Sequence, residues 1–345
     1  MRVHIVNYDE ANAWILGKFA RKLHGELLKL NVEASISAIP DPAAGVNHHI
    51  PYLSFSARGN ALDTLMVTHV DNEWRFKTLR GHLREASMAI CMSADMVRKL
   101  VDAGLPRERL CYVHPAQDGV MRPRPLNIGI TSRIYDDQRK KEQDFLALCR
   151  AIDPADFTFT IMGAGWDAIV EDMRRLGLAV DYHPEFNYPA YVRLVPLFDY
   201  FLYLGHDEGS MGFLDALAAG VKTIVTRQGF HLDVPDGISH GFSGFEELSG
   251  IFKGIAAERR KRVASVVPWT WERYARQHLA IWDYLLQGRN GRPAYAAGFD
   301  GDDGLNSIGT FGGRRDVVRG LGFRVSTVRN SLANRIRGLR RRRSE

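Results

Sequence analysis

The sequence predicts an α/β protein built from two consecutive parallel-sheet domains, and three observations carry that prediction. Its 345 residues are 45% hydrophobic and 25% charged, the make-up of a globular chain with a sizeable core, and at about 100–200 residues per domain the length suits two domains. Short apolar runs alternate with stretches of helical periodicity, the pattern of strands joined by crossover helices over a sheet covered on both faces. The alternation stops once, in the segment 114–125 with its three prolines and a glycine, and then restarts.

The run at 3–6 reads as a buried strand, and 11–30 carries Trp14, Leu16, Phe19, Leu23, Leu27 and Leu30 at helical spacing. Strands are expected at 65–67, Met88–Cys91 and 110–113, with a helix over 94–103 that Gly104 and Pro106 bring to an end. Beyond the linker, strands are expected at Leu126–Ile130, Phe157–Met162, 200–204 and 221–226. Helices are expected at 141–152, 166–176, 188–197, 212–219 and Trp271–Leu286. The domain boundaries drawn from this are 1–118, 119–267, a closing helix at 268–287, and a tail at 288–345.

Charge is unevenly placed. The formal net charge is +6, yet residues 311–345 hold 11 Arg against Asp316 and Glu345, a local +9, so the rest sums to −3. Residues 288–313 shift to Gly, Asn and Asp and resemble a flexible spacer. After them Val325, Val328, Leu332, Ile336 and Leu339 recur three or four apart with Arg324, Arg329, Arg335 and Arg337 between them. A basic amphipathic helix of this kind over 314–343 suits an anionic membrane surface, the other reading being a solvated extension. The slightly acidic body without aromatic-basic interleaving argues against nucleic acid. Cys91, Cys111 and Cys149 form no C-x-x-C pair, so they are expected as buried thiols in a reducing compartment. With no signal-peptide run at the start and no stretch of about 18 apolar residues, a cytoplasmic location is expected, with the tail peripheral on the inner face of the membrane.

In open parallel sheets ligands bind beyond the carboxyl ends of strands. Two post-strand segments of the second domain carry suitable chemistry. The first, GITSRIYDDQRKKEQDF, offers Arg133 and, seven positions on, Lys140; a guanidinium and an ammonium so placed suit a pyrophosphate, the alternative being a solvated loop. The second, YFLYLGHDEGSMGFLDALAAGVKTIVT, places Asp207 before and Asp215 on a small-residue helix, eight apart, around the loop Glu208, Gly209, Ser210 and Met211. A helix N-terminus and a glycine loop present N–H groups to an anion. The alternative is that both acids merely complement the helix dipole.

Strand, acid, glycine loop, acid and then ALAAGVKTIVT resemble the signature of retaining, nucleotide-sugar-dependent glycosyltransferases of the GT-B fold (group 1, family 4-like). There it usually reads Glu, seven residues, Glu, then Ala-Met-Ala-x-Gly-x-Pro-Val-Ile. MAICMSADMVRKLVDAGLPRERLCYVHPAQD is similar to that family's first-domain end, GITSRIYDDQRKKEQDF to its Arg and Lys segment, and PWTWERYARQHLAIWDYLL to its closing helix. The likeness spans roughly residues 60–287. It implies two Rossmann-like domains facing across a cleft, an acceptor domain first and a donor domain second, with the closing helix returning to the first.

Carried over by position, the resemblance implies that Arg133 and Lys140 bind the donor diphosphate and that Asp207 lies near the transferred sugar. Asp215 would hold the ribose hydroxyls, and Glu208, Gly209, Ser210 and Met211 would line the donor, the last two through backbone N–H groups. His69, after strand 65–67, would stand near the reaction centre, with a structural role as its alternative. Asn7, Asp9, His48, His49 and Asp71 are candidates on the acceptor side. The implied partners are a nucleotide-diphosphate sugar and a glycan or lipid-linked acceptor, with surface polysaccharide synthesis as the implied setting; no cofactor and no metal is expected. The sequence departs from the family in having Asp for both Glu residues, Lys141 for a Gly and Lys222 for a Pro. Glu208 would become the first acid if the loop held one extra residue. A nucleotide-sugar epimerase or hydrolase and a catalytically silent sugar-nucleotide-binding scaffold are the competing readings.

Overall fold

The computed structural model describes residues 1–8, 14–57 and 62–288. It divides into two compact units: Met1–Gly119 with the described residues from Val267 onward, and Val120–Val266.

The first unit runs β1 (Arg2–Asn7), α1 (Trp14–Lys29), β2 (Glu33–Ser37), β3 (Val46–Ile50), β4 (Leu62–Val67), α2 (Glu73–His82), β5 (Met88–Cys91), α3 (Ala94–Asp102) and β6 (Leu110–Tyr112). All six strands are parallel, in the order β2-β1-β3-β4-β5-β6. Strands covered on both faces lose the apolar-polar alternation of a half-exposed sheet, and β1 is accordingly buried at five of its six positions. The side chains of Asn72 and Ser93 cap α2 and α3 by accepting from the Arg75 and Met96 amides.

The second unit repeats the plan with β7 (Leu126–Ile130), α4 (Glu142–Ala151), β8 (Phe157–Met162), α5 (Asp167–Arg175), β9 (Ala179–His183), α6 (Tyr188–Leu194), β10 (Tyr200–Tyr203), α7 (Met211–Ala218), β11 (Lys222–Thr226), β12 (His240–Phe242) and α8 (Phe245–Ser265). Its parallel sheet is ordered β12-β11-β10-β7-β8-β9. The chain builds outward from β7 through β8 to β9, then crosses to β10 on the opposite side, which is the Rossmann order. β7 and β10 therefore flank the point where the winding reverses, the place where sheets of this order offer a crevice beyond their carboxyl ends.

Helix α9 (Trp271–Leu286) belongs to the first unit. Thr270 caps it, Trp271 and Tyr274 meet Phe19 of α1 edge-on at 5.2 and 5.7 Å, and the Trp271 indole donates to Asp118 at 2.7 Å. With α1 it covers one sheet face in a core that includes Val3, Ile5, Leu23, Ile281 and Trp282. Leu65, Val67, Leu79 and Leu100 form the core on the other face.

Elements absent from the expected pattern are β2, β3, α2, β9, β12 and α8. Strands β2 and β9 are the partly exposed sheet edges, so their sequences EASIS and AVDYH show no apolar run. The expected helix start at Ala11 and the tail from 289 onward, including 314–343, lie outside the described residues. Among the described residues no helix is long and apolar enough to cross a membrane.

One glycine in the second sheet is set by packing. A Cβ on Gly129 of β7 would lie 2.0–2.4 Å from ring atoms of the buried Phe198. Gly129→Ala should cost about 1–3 kcal/mol by overpacking, read as a lower denaturant midpoint; an unchanged midpoint would show that the ring yields freely.

Candidate active site

The candidate site is built on the crevice between β7 and β10. After β7 the chain continues as Thr131, Ser132 and Arg133, and the next loop locks it in place. Gly163, at φ +145°, lets that loop approach so closely that a Cβ would stand 2.3 Å from the Ser132 carbonyl oxygen. The Trp166 indole donates to that same oxygen at 2.6 Å, and the Ile134 amide donates to the Ala164 carbonyl at 2.9 Å.

Arg133, Arg139 and Lys140 gather around Tyr135, with their cationic groups 4.4, 3.8 and 5.9 Å from its ring centroid. The negative ring face offsets part of the repulsion among them. Lys140 reaches across to the β10 side. Its ammonium donates to Asp207 Oδ2 at 2.7 Å and to the Tyr203 hydroxyl at 2.5 Å, and Tyr203 in turn donates to Asp207 Oδ1 at 2.6 Å. The Gly209 amide adds a fourth contact to Asp207 at 3.2 Å.

Burial opposes the charge on Asp207, but the hydrogen bonds from Lys140, Tyr203 and Gly209 outweigh it and hold the carboxyl below its usual range. Burial first, and then the neighbouring carboxylate, push the Tyr203 phenol well above its ordinary value, so it remains a donor. Gly205 makes room for this triangle, since a Cβ there would lie 2.5 Å from the Tyr203 oxygen.

Asp215, one turn into α7, accepts from the buried Tyr191 of α6 at 2.5 Å. Gly212 brings the start of α7 against the β7 loop, its Cβ position being 2.2 Å from Thr131 Oγ1. Met211, the first residue of α7, is 70% exposed.

Ser210 corrects the expectation that its amide faces a donor. That N–H donates to Nε2 of the fully buried His231 at 3.0 Å, while His231 Nδ1 bonds the Thr226 carbonyl at 3.2 Å. Burial keeps His231 in the neutral form this arrangement needs, despite the opposing pull of the Thr226 bond and the Asp207 charge. Glu208 is exposed and lies outside the triangle; Asp207 is the acid that meets Lys140.

In the first unit the winding reverses between β1 and β3. Asn7 ends β1, only 4% exposed, with its Oδ1 unpartnered. Asp9 lies outside the described residues. His69 is exposed after β4, its Nδ1 3.0 Å from Thr68 Oγ1 and its carbonyl accepting from Tyr52 at 3.0 Å. Asp71 pairs with Arg75 at 2.5 Å, and this pairing overcomes the cost of burial to lower its pKa.

His48 and His49 require correction as acceptor-side candidates. Both sit inside β3 at 0% exposure, because the central strand buries both faces. His48 bonds Thr64 at 3.0 Å on the α9 side. His49 bonds Asp63 at 2.8 Å and Tyr8 at 2.9 Å on the other. Among the described residues no group of three or more His, Cys, Asp or Glu stands close enough to hold a metal ion.

Tyr203, Tyr135, Tyr191 and His231 are site residues that sequence reasoning missed. Aromatic residues in or beside strands read as core, and only the spacing Tyr203 to Asp207, one loop apart, offered a signal.

No protein-family model matches the chain, and no curated protein matches it. Among solved structures it is similar to lipopolysaccharide outer core galactosyltransferase WaaB in apo form, at 10% identity over 84% of this chain and 100% of that one, TM-score 0.34. It is similar to Anabaena HepE in complex with UDP-glucose, at 12% identity over 84% of this chain and 100% of that one, TM-score 0.33. Sucrose-phosphate synthase from Thermosynechococcus elongatus matches at 10% identity over 83% and 99%, TM-score 0.34. Likeness at this level fixes neither a family nor an activity.

Proposed function

We propose that this chain is a glycosyltransferase that moves a sugar from a nucleoside-diphosphate donor to a glycan or lipid-linked acceptor, with retention of configuration. The observation that carries the reading is the cationic cluster of Arg133, Arg139 and Lys140 at the β7–β10 reversal, where Lys140 is tied to Asp207 and Tyr203. Doubly wound sheets bind nucleotides at this point, and fixed cations there stabilise the charge that a departing diphosphate develops.

In this reading Arg133 forks onto two phosphate oxygens and Lys140, with two of its three N–H bonds given to Asp207 and Tyr203, adds a point charge. Asp207 lies beside the transferred sugar and Asp215 takes the ribose hydroxyls. As the bond from C1 to the diphosphate oxygen breaks, its electron pair stays with the phosphate. The acceptor oxygen bonds C1 on the same face, and its proton passes to the departing phosphate oxygen, so no protein nucleophile enters. We further assign the acceptor to the first unit, with His69 at its edge, and surface polysaccharide assembly as the setting, with the basic tail holding the enzyme to an anionic membrane.

The test is a thermal-shift screen against nucleoside diphosphates and their sugars. A ligand at 100 times its Kd stabilises the fold by about 2.7 kcal/mol, so at least one base should give a clear upward shift. Absence of a shift with every nucleotide would remove the donor reading. With a transferable donor in hand, the anomeric configuration of the product decides retention.

A further inference from the structure

We infer that His231 is a positioning residue for the loop 205–210, which it holds through an unprotonated Nε2, so that donor binding weakens when this ring takes up a proton. The inference rests on the donor reading above. The loop runs between two segments of the second unit. On one side the His206 amide donates to the Arg139 carbonyl at 2.9 Å and Asp207 takes Lys140. On the other, the segment 226–231 clasps the loop at Gly205, Glu208 and Ser210. The Thr226 hydroxyl and the Gln228 side-chain amide both donate to the Gly205 carbonyl, the Phe230 N–H donates to the Glu208 carbonyl at 3.1 Å, and His231 Nε2 accepts from Ser210.

The clasp fits closely. A Cβ on Gly229 would lie 2.2 Å from the Glu208 oxygen, and one on Gly209, at φ +122°, would lie 2.7 Å from the Phe230 ring. The course of the loop therefore depends on this segment. Among the hydroxyl, amide, backbone N–H and imidazole that make the clasp, only the imidazole changes its proton count at ordinary pH.

The neighbours of His231 fix where its proton sits. The Thr226 carbonyl only accepts, so Nδ1 carries the hydrogen; the Ser210 backbone N–H only donates, so Nε2 is bare. A second proton would set N–H against N–H across 3.0 Å, between residues that are 8% and 0% exposed. It would also put a cation at the start of α7, where the helix dipole opposes it. Burial accordingly lowers the His231 pKa, against the pull of the Thr226 bond and the Asp207 charge. Of the titratable groups around the ring, Asp207 acts by its charge and Tyr203 meets it edge-on at 5.6 Å, and both are bonded to Lys140. Phe213 and Phe230, with centroids at 4.4 and 5.3 Å, bring no charge. The folded pKa is depressed, so the clasp is complete at neutral pH and loses the Ser210 bond as the pH falls through that pKa. The loop that aims Asp207 at Lys140 is then less firmly held.

The experiment uses the full chain and compares wild type with His231→Gln, which keeps an acceptor for the Ser210 amide and does not titrate, and with His231→Leu, which has none. UDP, ADP and GDP are titrated from pH 7.5 to pH 5.0, and the NMR signals of the Ser210 amide and the His231 ring are followed over the same range. At pH 7.5 His231→Leu should bind the preferred nucleoside diphosphate about tenfold more weakly, and His231→Gln should recover most of the loss. As the pH drops, wild-type affinity falls relative to His231→Gln, and the Ser210 signal follows the ring in wild type but stays flat in His231→Gln. Taking the difference removes the titration of the nucleotide and any part played by the exposed His206, which both proteins share. Parallel affinity curves for the two proteins, or a Ser210 signal that ignores the ring, overturn the inference and leave the donor reading standing. Wild type that binds none of the nucleoside diphosphates overturns the donor reading, and the pH-dependent donor binding with it, while the Ser210 signal separately decides whether His231 holds the loop.

Discussion

On the donor reading proposed above, Lys140→Met should lower kcat/KM for sugar transfer by about 100-fold or more while the protein keeps its fold. A charge-assisted contact contributes about 1.5–3 kcal/mol, or roughly 10–150-fold. In that reading the variant loses the contact to the diphosphate and also leaves Asp207, the partner of Lys140, unneutralised beside the arriving anion. The fold tolerates the change because the Asp207 side chain is 26% exposed and water replaces the ammonium.

Asp207→Asn separates the two effects. Lys140 is then freed from its counter-charge, so nucleoside-diphosphate affinity holds or rises while kcat falls. Tyr203→Phe keeps both charges and removes only the hydroxyl bridge between them, and its loss is the smallest of the three. Steady-state kinetics with titration of the free diphosphate measures all three. A Lys140→Met enzyme with wild-type kcat/KM would refute the placement of the diphosphate.

Lowering the pH from 7 to 5 destabilises the first unit through the buried histidines between β3 and α9. His48 and His278 are both fully buried with ring centroids 5.0 Å apart, and Nε2 of each has no hydrogen-bond partner. The Trp282 indole and His48 share Thr64, at 3.1 and 3.0 Å, and His278 Nδ1 bonds the Tyr274 carbonyl at 2.8 Å.

Burial lowers the His278 pKa from 6.5 to about 4 against the opposing effect of the Tyr274 bond. Burial likewise lowers that of His48, helped by His278 and His49. The folded pKa is depressed, so the unfolded chain binds protons first. Stability is complete above the unfolded pKa of 6.5, falls as the pH drops through it, and levels off below about 4. For His278 alone the loss is about 2 kcal/mol at pH 5 and about 3 kcal/mol at pH 4.

Burial also lowers the pKa of His82, His231 and His240, and they add to the slope in the same direction. The discriminating measurement is therefore a difference. Wild type should lose about 2 kcal/mol more than His278→Leu between pH 7 and pH 5 in denaturant titrations, with faster hydrogen exchange in α9. Identical pH dependence in the two proteins would contradict the assignment.

The βα rhythm was legible because apolar runs such as those of β5, β7 and β8 are buried whatever their neighbours, and the boundaries of those three strands match the expectation. β3 was not, because VNHHI carries three polar residues that become acceptable inside only through partners on other strands or loops, the Asp41 backbone for Asn47, Thr64 for His48, and Asp63 and Tyr8 for His49. α8 escaped notice for a related reason. Its sequence FEELSGIFKGIAAERRKRVAS is charged around much of its surface, and only Leu248, Phe252 and Ile255 identify a buried stripe.

The same division runs through the site. Arg133, Lys140, Asp207 and Asp215 were legible as charges just beyond strands, where a parallel sheet leaves helix starts and loops exposed to ligand. Their relations were not. Which acid meets Lys140, what occupies the Ser210 amide and which ring faces solvent depend on contacts between residues 21 to 67 positions apart.

Local sequence by itself determined the α/β class, the restart of the chain after its linker and the residues able to carry charge at the strand ends. These follow from short-range periodicity and residue type. Tertiary structure decided that the winding reverses between β7 and β10, that Lys140, Asp207 and Tyr203 close on one another, and that two histidines with a surface-like character lie in the core. The physical reason is that the free energy of a buried polar group is set by the partner that satisfies it, and here that partner comes from a distant part of the chain.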